Sequence, residues 1–490
     1  MKKPNVLLIM ADQHRGDTMG CMGHPAVETP NLDWLAAEGT LFRNAYTPCP
    51  SCVPARASLL TGMDPWHTGI LGMGRGQGQF IDGYAHTLPG ELSRAEYHTC
   101  AVGKMHFEPQ RSLRGFHQTL LDEDGRQLDP GFVSDYQQWF DRNKTGDYGI
   151  VDHGVDWNSW ISRPFHAPEF LHPTNWTAQT SLRFLQERDP QRPFFLMMSF
   201  CRPHSPYDPP AYYYDLYMNK QLPAAAIGDW AARHDVPRDA ANHNAWRGRR
   251  SDEEIRRARA GYYGAVHHID HQIGLVLNYL TRTRQMNDTL VIYLSDHGDM
   301  LGDHHLWRKT YAYEGSAHIP LIVRQPGRMG RPQRSIVDEP AVLQDIMPTI
   351  LETAGLDIPS EVTGRSLLPL IGGEAADWRE YVHGEHSTCY ADEQETQYVT
   401  DGRMKYVWLP RLDEEQLFDL EADPGERRDV SGDPAYAGQL AQWRQRLVRE
   451  LEPRANGMAE GGRLIGQQGK PYQVSPHYQR RLAYAGRHQE

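Results

Sequence analysis

The first apolar run of the chain, Val6-Leu7-Leu8-Ile9-Met10, contains no polar residue. A strand with one wet face would alternate apolar and polar positions, so an unbroken run predicts a strand buried on both sides. Thr29-Pro30 opens a predicted helix through Leu32, Leu35 and Ala36 that Gly39 stops. Val53 to Leu60 predicts a second helix, with Pro54 tolerated in its first turn. Phe194 to Phe200 and Thr289 to Leu294 are further buried-strand runs. Between them Ile255, Tyr262, Val266, Ile269, Ile273, Leu277 and Leu280 recur at helical steps. Ser251 and Glu254 have capping-box spacing at the start of that helix. Strands alternating with helices predict an α/β fold, a large mainly parallel sheet flanked by helices on both faces.

Two stretches, 108–175 and 205–250, break this alternation. They are rich in Pro, Gly, Trp, Tyr, Asp and Arg and too long for simple connections, so they are expected to form substrate loops over a site. After Ile371-Gly372-Gly373 the pattern changes to short strands, near Tyr381-Val382, Gln397–Thr400, Met404–Leu409 and Gln416–Leu420. Asp401-Gly402 marks a turn among them. A helix from about Ala435 to Leu451 follows. This divides the chain into a catalytic domain (1–375), a smaller C-terminal α+β subdomain with an antiparallel sheet (376–452) and a tail (453–490). The tail aromatics Tyr472, Tyr478 and Tyr484 are unusual in a solvated end, and suggest an arm that docks on a neighbouring subunit of a homo-oligomer.

The chain has 490 residues, 23% of them charged, and a formal net charge of −12. Its 51 Lys and Arg residues form no runs, which argues against nucleic acid or a membrane surface as partner. No stretch approaches the roughly 18 apolar residues of a membrane span. Lys2 and Lys3 before the first apolar run mimic a short signal peptide, but no small-residue cleavage site follows, and the expected location is cytoplasmic. The six cysteines then need no disulfides.

Asp12-Gln13 and Asp296-His297 each stand just beyond a buried strand. In a parallel sheet such positions project into the crevice where open α/β folds bind ligands. Two carboxylates, an amide oxygen and an imidazole can together hold one divalent ion. His267, His268 and His271 lie on the long helix without a carboxylate at ligand spacing on the same face, and are expected to be solvated or packed residues.

Residues 52–62 read Cys52-Val53-Pro54-Ala55-Arg56-Ala57-Ser58-Leu59-Leu60-Thr61-Gly62. This C-x-P-x-R-x-x-x-L-T-G run resembles the signature of the type I sulfatases of the alkaline phosphatase superfamily. Ser295-Asp296-His297-Gly298, Lys309 with Tyr313-Glu314-Gly315, Gly103-Lys104-Met105-His106 and Pro203-His204-Ser205-Pro206-Tyr207 are similar to further segments of that family. The resemblance implies an alkaline-phosphatase-like fold and hydrolysis of a small-molecule sulfate ester to alcohol and sulfate. It implies that Cys52 is converted to formylglycine by a formylglycine-generating enzyme, and that the hydrated aldehyde is the nucleophile. It also implies a divalent metal bound by Asp12, Gln13, residue 52, Asp296 and His297, with calcium first and manganese or magnesium as alternatives. Arg56 would orient the nucleophile, Lys104 and Lys309 would grip sulfate oxygens, His204 would protonate the leaving oxygen, shared with Lys309, and His106 would act as base. Gly103 to Phe107 is also similar to the choline sulfatases.

Two rivals are weighed against this. Phosphonate monoester and phosphodiester hydrolases share the C-x-x-x-R core, and Gln13 and His297 depart from the Asp and Asn of many sulfatases. Lys104 and His106, however, follow the sulfatase pattern. Cys49-Pro50-Ser51-Cys52 could be a redox pair, although the second cysteine leads straight into the sulfatase signature.

Overall fold

Every residue of β1 (Asn5–Asp12) is buried, yet successive side chains enter two different cores. The computed structural model describes residues 3–486 except 74–77, 124, 126–128, 241, 331 and 333. Val6, Leu8 and Met10 pack with α2 (Cys52–Thr61) and α5 (Ile346–Ala354) on one face of a sheet. Leu7, Ile9 and Ala11 pack on the other face with α1 (Pro30–Glu38), α3 (Pro173–Glu187) and α4 (Asp252–Arg282). This two-sided burial is why the run carries no polar residue.

The sheet has eight strands in the order β4-β3-β5-β1-β6-β7-β2-β8. Their ranges are β2 Thr40–Phe42, β3 His98–Gly103, β4 Gln118–Leu121, β5 Phe194–Pro203, β6 Thr289–Leu294, β7 Leu321–Arg324 and β8 Ile336–Val337. All pairings are parallel except those of β7, which runs against β6 and β2. β4 lies inside the stretch expected to be a substrate loop. It is an edge strand whose first residue is exposed, so it needs no continuous apolar run and leaves none in the sequence.

The register sets the position of the site. Met10 of β1 pairs in parallel with Leu294 of β6, so Asp12 and Asp296, each two residues further on, emerge side by side. Asp12 pairs with Pro203 at the end of β5, and Gly103 of β3 pairs with Ser199. His204 and Lys104 therefore leave at the same carboxyl end of the sheet.

The capping box of α4 forms as expected between Ser251 and Glu254. The helix histidines pack rather than gather at the site. His267 Nε2 meets His271 Nε2 at 3.0 Å, and Tyr217 and Tyr213 hydroxyls contact their Nδ1 atoms. Asp270 turns away and accepts the Asn31 and Leu32 amides at the start of α1.

β9 (Val382–His386), β10 (Thr396–Thr400), β11 (Met404–Leu409) and β12 (Glu414–Asp419) form an antiparallel sheet in sequence order. One face packs on α6 (Ala437–Leu451) through Trp443, Leu447 and Leu451. The other packs on the large domain through Tyr398, Val407 and Phe418 against Tyr46 and Tyr313. Residues Pro476–Gly486 form α7, which lies on its own chain. The Tyr478 hydroxyl accepts the Gln79 amide at 3.0 Å, and its backbone and ring leave no room for a side chain at Gly69 or Gly78. Of the tail aromatics, the side chain of Tyr484 lies outside the described residues.

Candidate active site

Cys52 is the first residue of α2, after Ser51 in extended conformation, so its sulfur sits where the helix presents unpaired amides and positive potential. Asp12, Cys52, Asp296 and His297 are all buried, and one ligand atom from each lies within 4.8 Å of the others. The sulfur is 3.1 Å from His297 Nε2 and 3.8 Å from Asp12 Oδ1.

These residues fit a bound cation. His297 Nδ1 is 2.9 Å from the Gly298 carbonyl oxygen, so Nδ1 carries the proton and donates it there. The Nε2 lone pair then faces the carboxylates of Asp12 and Asp296 at 3.8 and 3.9 Å, an arrangement of like partial charges that a metal between them would stabilise. Burial pushes the imidazole toward neutrality, but Asp296 and the Cys52 sulfur outweigh it and raise its pKa, so this nitrogen draws a proton or a metal.

Cations close the site on the other sides. Arg56 is fully buried, and its Nε and Nη2 donate to Asp296 Oδ2 (2.9 Å) and Asp12 Oδ2 (3.1 Å). Its Nη1 donates to the Lys104 carbonyl and to Ser199 Oγ. The guanidinium is thus spent on fixing the two carboxylates, whereas the resemblance assigns it to the nucleophile. Lys104 Nζ meets Asp12 Oδ2 at 2.7 Å. Burial opposes charge on Asp12, but Lys104 first, then Arg56 and Lys309, hold its carboxyl well below the usual range. Burial and Asp12 push the Cys52 thiol up, yet Lys309, Lys104 and His297 outweigh them and its pKa falls.

Lys309 Nζ lies 3.3 Å from the Cys52 sulfur, 3.1 Å from Gln13 Oε1 and 2.5 Å from His204 Nε2. His204 Nδ1 contacts the Ser205 carbonyl at 2.8 Å, which fixes its proton on Nδ1. Nε2 is then an acceptor, and burial and the neighbouring Lys309 and Lys104 hold the ring neutral. In this arrangement the proton shared by the pair resides on Lys309, not on His204. His106 follows two residues after Lys104, buried and in left-handed backbone (φ 60°), with its amide bonded to Glu123 Oε1 at 3.0 Å.

Sequence reasoning missed Asp299. It is buried, accepts the Tyr207 hydroxyl at 2.5 Å and takes a hydrogen bond from Gln13 Nε2. This fixes which way the Gln13 amide faces, with Oε1 turned toward Lys309 Nζ. The available signal was its place three residues after Asp296 on the same strand-end loop. Asp299→Asn should lower metal affinity and kcat/KM about 10- to 100-fold, because either way round its NH2 meets donors, Gln13 Nε2 and the Tyr207 hydroxyl or the Leu301 and Arg308 amides. Metal titration and steady-state kinetics check this; unchanged metal dependence would remove Asp299 from the positioning network. His386 was also missed. Its Nε2 meets Ser51 Oγ at 2.8 Å, tying the C-terminal sheet to the start of α2.

The redox reading finds no support. Cys49 and Cys52 both carry free thiols. Cys49 Sγ turns to the Leu71 carbonyl at 3.7 Å, and burial raises its pKa well above the normal thiol range.

The family model described as Sulfatase matches residues 4–356, and one described as N-sulphoglucosamine sulphohydrolase, C-terminal, matches 302–452. The chain is 42% identical to an arylsulfatase of Clostridium perfringens over 96% of this chain and 98% of that protein. It is 32% identical to a choline-sulfatase of Rhizobium meliloti over 88% of this chain and 83% of that one. The solved phosphonate monoester hydrolase of Agrobacterium radiobacter superposes with a TM-score of 0.75 at 26% identity, covering 92% of this chain and 96% of that chain. A family match over most of the chain, a full-length arylsulfatase relative and a buried cluster of two carboxylates, an imidazole and the signature cysteine agree: this chain belongs to the type I sulfatase family and is a sulfuric ester hydrolase.

Proposed function

We propose that this enzyme hydrolyses a small-molecule sulfate monoester with residue 52, matured to formylglycine, as nucleophile, beside a divalent cation held by Asp12, Gln13, Asp296 and His297. The observation that carries this is the meeting of Asp12, Cys52, Asp296 and His297 in one buried cluster, with Lys104 and Lys309 at its edge. When present, the cation polarises a sulfate oxygen and the hydrated aldehyde supplies the attacking oxygen. Three oxygens and one nitrogen make a mostly hard donor set; we take calcium as the ion, with manganese the alternative favoured by the imidazole. The thiol of Cys52 occupies the position of the attacking oxygen.

Lys104 and Lys309 offer the positive charge an anionic ester needs. Arg56 holds Asp12 and Asp296 at fixed spacing. Lys309 donates the proton that the leaving oxygen requires, and His204 Nε2, already within hydrogen-bond reach, steadies the ammonium in the direction of transfer. His106 is assigned the base of the second half-reaction.

The phosphonate reading is tested by comparing kcat/KM for 4-nitrophenyl sulfate and 4-nitrophenyl phenylphosphonate on the same matured, metal-loaded protein. Two ammonium groups beside the nucleophile predict faster sulfate hydrolysis. A large preference for the phosphonate would reverse the assignment within the superfamily.

A further inference from the structure

Arg308 is 8% exposed, and among the described residues no carboxylate pairs with its guanidinium. Arg15, Arg56, Arg202 and Arg259 are also buried and each meets an aspartate, whereas Arg324 on β7 is buried on the Met286 carbonyl. Burying a cation without an anion is costly, so an unpaired one beside a catalytic centre marks a place for a charge that arrives with the substrate.

Its position supports this. Arg308 has a positive φ of 67°, and its amide donates to Asp299 Oδ1 at 3.1 Å. Consecutive side chains diverge from this turn: Lys309 reaches the Cys52 sulfur, whereas the Arg308 Nε donates to the Asn158 carbonyl at 2.9 Å. The guanidinium lies 5.2 Å from the centre of the Tyr390 ring. Tyr390 stacks on Trp246 at 6.0 Å, and Arg247 covers Trp246 at 4.2 Å. Tyr390 belongs to the loop after β9, which is seated on the site at both ends. His386 bonds to Ser51 next to the nucleophile, and Gln394 Nε2 donates to Thr310 Oγ1 next to Lys309. Burial raises the pKa of the Tyr390 phenol, Cys389 adds to this, and Arg308 opposes it.

Three segments therefore converge at Arg308: the loop carrying Asn158, the loop carrying Tyr390 and the strand-end loop carrying Lys309. The sulfate already has Lys104 and Lys309. We propose that Arg308, held by Tyr390, forms a specificity subsite for the alcohol half of the ester, and that this half bears a carboxylate. This inference rests on the sulfatase reading. The planar guanidinium fork takes a carboxylate through two parallel hydrogen bonds, and Tyr390, with Trp246 stacked on it, supports the guanidinium from one side.

The test compares kcat/KM for 4-nitrophenyl sulfate with its 2-carboxy and 3-carboxy derivatives, in the matured wild-type enzyme and in Arg308→Gln and Arg308→Lys. In the wild type one carboxylated ester should be preferred by about tenfold or more, because a site built for a polar group rejects the analogue lacking it. That ratio should fall to near one in Arg308→Gln and persist in part in Arg308→Lys. The ratio is read within each protein, so partial misfolding of a variant does not imitate the result. Wild-type enzyme that favours neither carboxylated ester would overturn the subsite while its turnover of 4-nitrophenyl sulfate left the sulfatase reading intact. A carboxylate preference that Arg308→Gln leaves unchanged would also overturn it. Failure of the matured enzyme on every sulfate ester would overturn the underlying reading as well.

Discussion

Cys52→Ala should abolish turnover of 4-nitrophenyl sulfate, lowering kcat by about 10⁴-fold or more while leaving the fold in place. The side chain is small and buried, and the substitution removes one sulfur from a site whose walls are held by other bonds. Arg56 still bridges Asp12 and Asp296, Lys104 still meets Asp12, and His386 still bonds to Ser51. Melting temperature and circular dichroism should therefore stay close to the wild type. The same substitution at Cys49, whose thiol faces Leu71, should spare most of the activity. This contrast separates a nucleophile from a redox pair, because a pair would lose function equally from either side. Cys52→Ala protein that retained more than about one per cent of the activity would place the nucleophile elsewhere.

Arg56→Ala should produce the second large effect, and it should be structural as well as catalytic. Asp12 and Asp296 have fully buried side chains, and Arg56 is their shared partner. Removing one partner of a buried ion pair leaves an uncompensated charge, which costs about 3–5 kcal/mol. Among the described residues Lys104 pairs with Asp12 and not with Asp296, so Asp296 loses most. A divalent cation would offset part of this. The variant should therefore melt far lower in chelator than in saturating metal, with a wider gap than the wild type shows. Activity should fall at least about 100-fold even with metal, because the carboxylates are no longer held at fixed spacing. Arg56→Lys should not rescue, since a point charge cannot donate to both carboxylates, the Lys104 carbonyl and Ser199 at once. Unchanged melting in chelator would show that the guanidinium does not hold these carboxylates.

Much of this was visible in the sequence because burial on both faces removes polar residues. Val6 to Met10, Phe194 to Phe200 and Thr289 to Leu294 are strands beside one another at the sheet's centre, and their ends mark Asp12, His204 and Asp296. The same logic fails at the edges. Gln118–Leu121 pairs with one neighbour only and begins exposed, so it reads as loop. The reversed direction of β7 leaves no trace either, because Leu321–Arg324 is buried whichever way it runs.

Within the site, residues named by a local motif were found and those set by long-range packing were not. Arg56 was recognised by its spacing from Cys52, but its true partners lie 44 and 240 residues away in the chain. His386 reaches Ser51 across 335 residues, and only the docking of the antiparallel sheet brings them together. Asp299 acts through Gln13 and has no signature of its own. The sharing of a proton between Lys309 and His204 depends on the Ser205 carbonyl fixing a tautomer, a detail that spacing along the chain does not encode.

Catalysis here rests on an aldehyde at residue 52. Mass spectrometry of the proteolytic peptide spanning residues 52–62, taken from protein that is turning over an aryl sulfate, tests it most directly. Conversion should make the peptide about 18 Da lighter than the cysteine form, with the change confined to residue 52. Fully active enzyme whose peptide carries only an unmodified thiol would exclude the aldehyde as nucleophile.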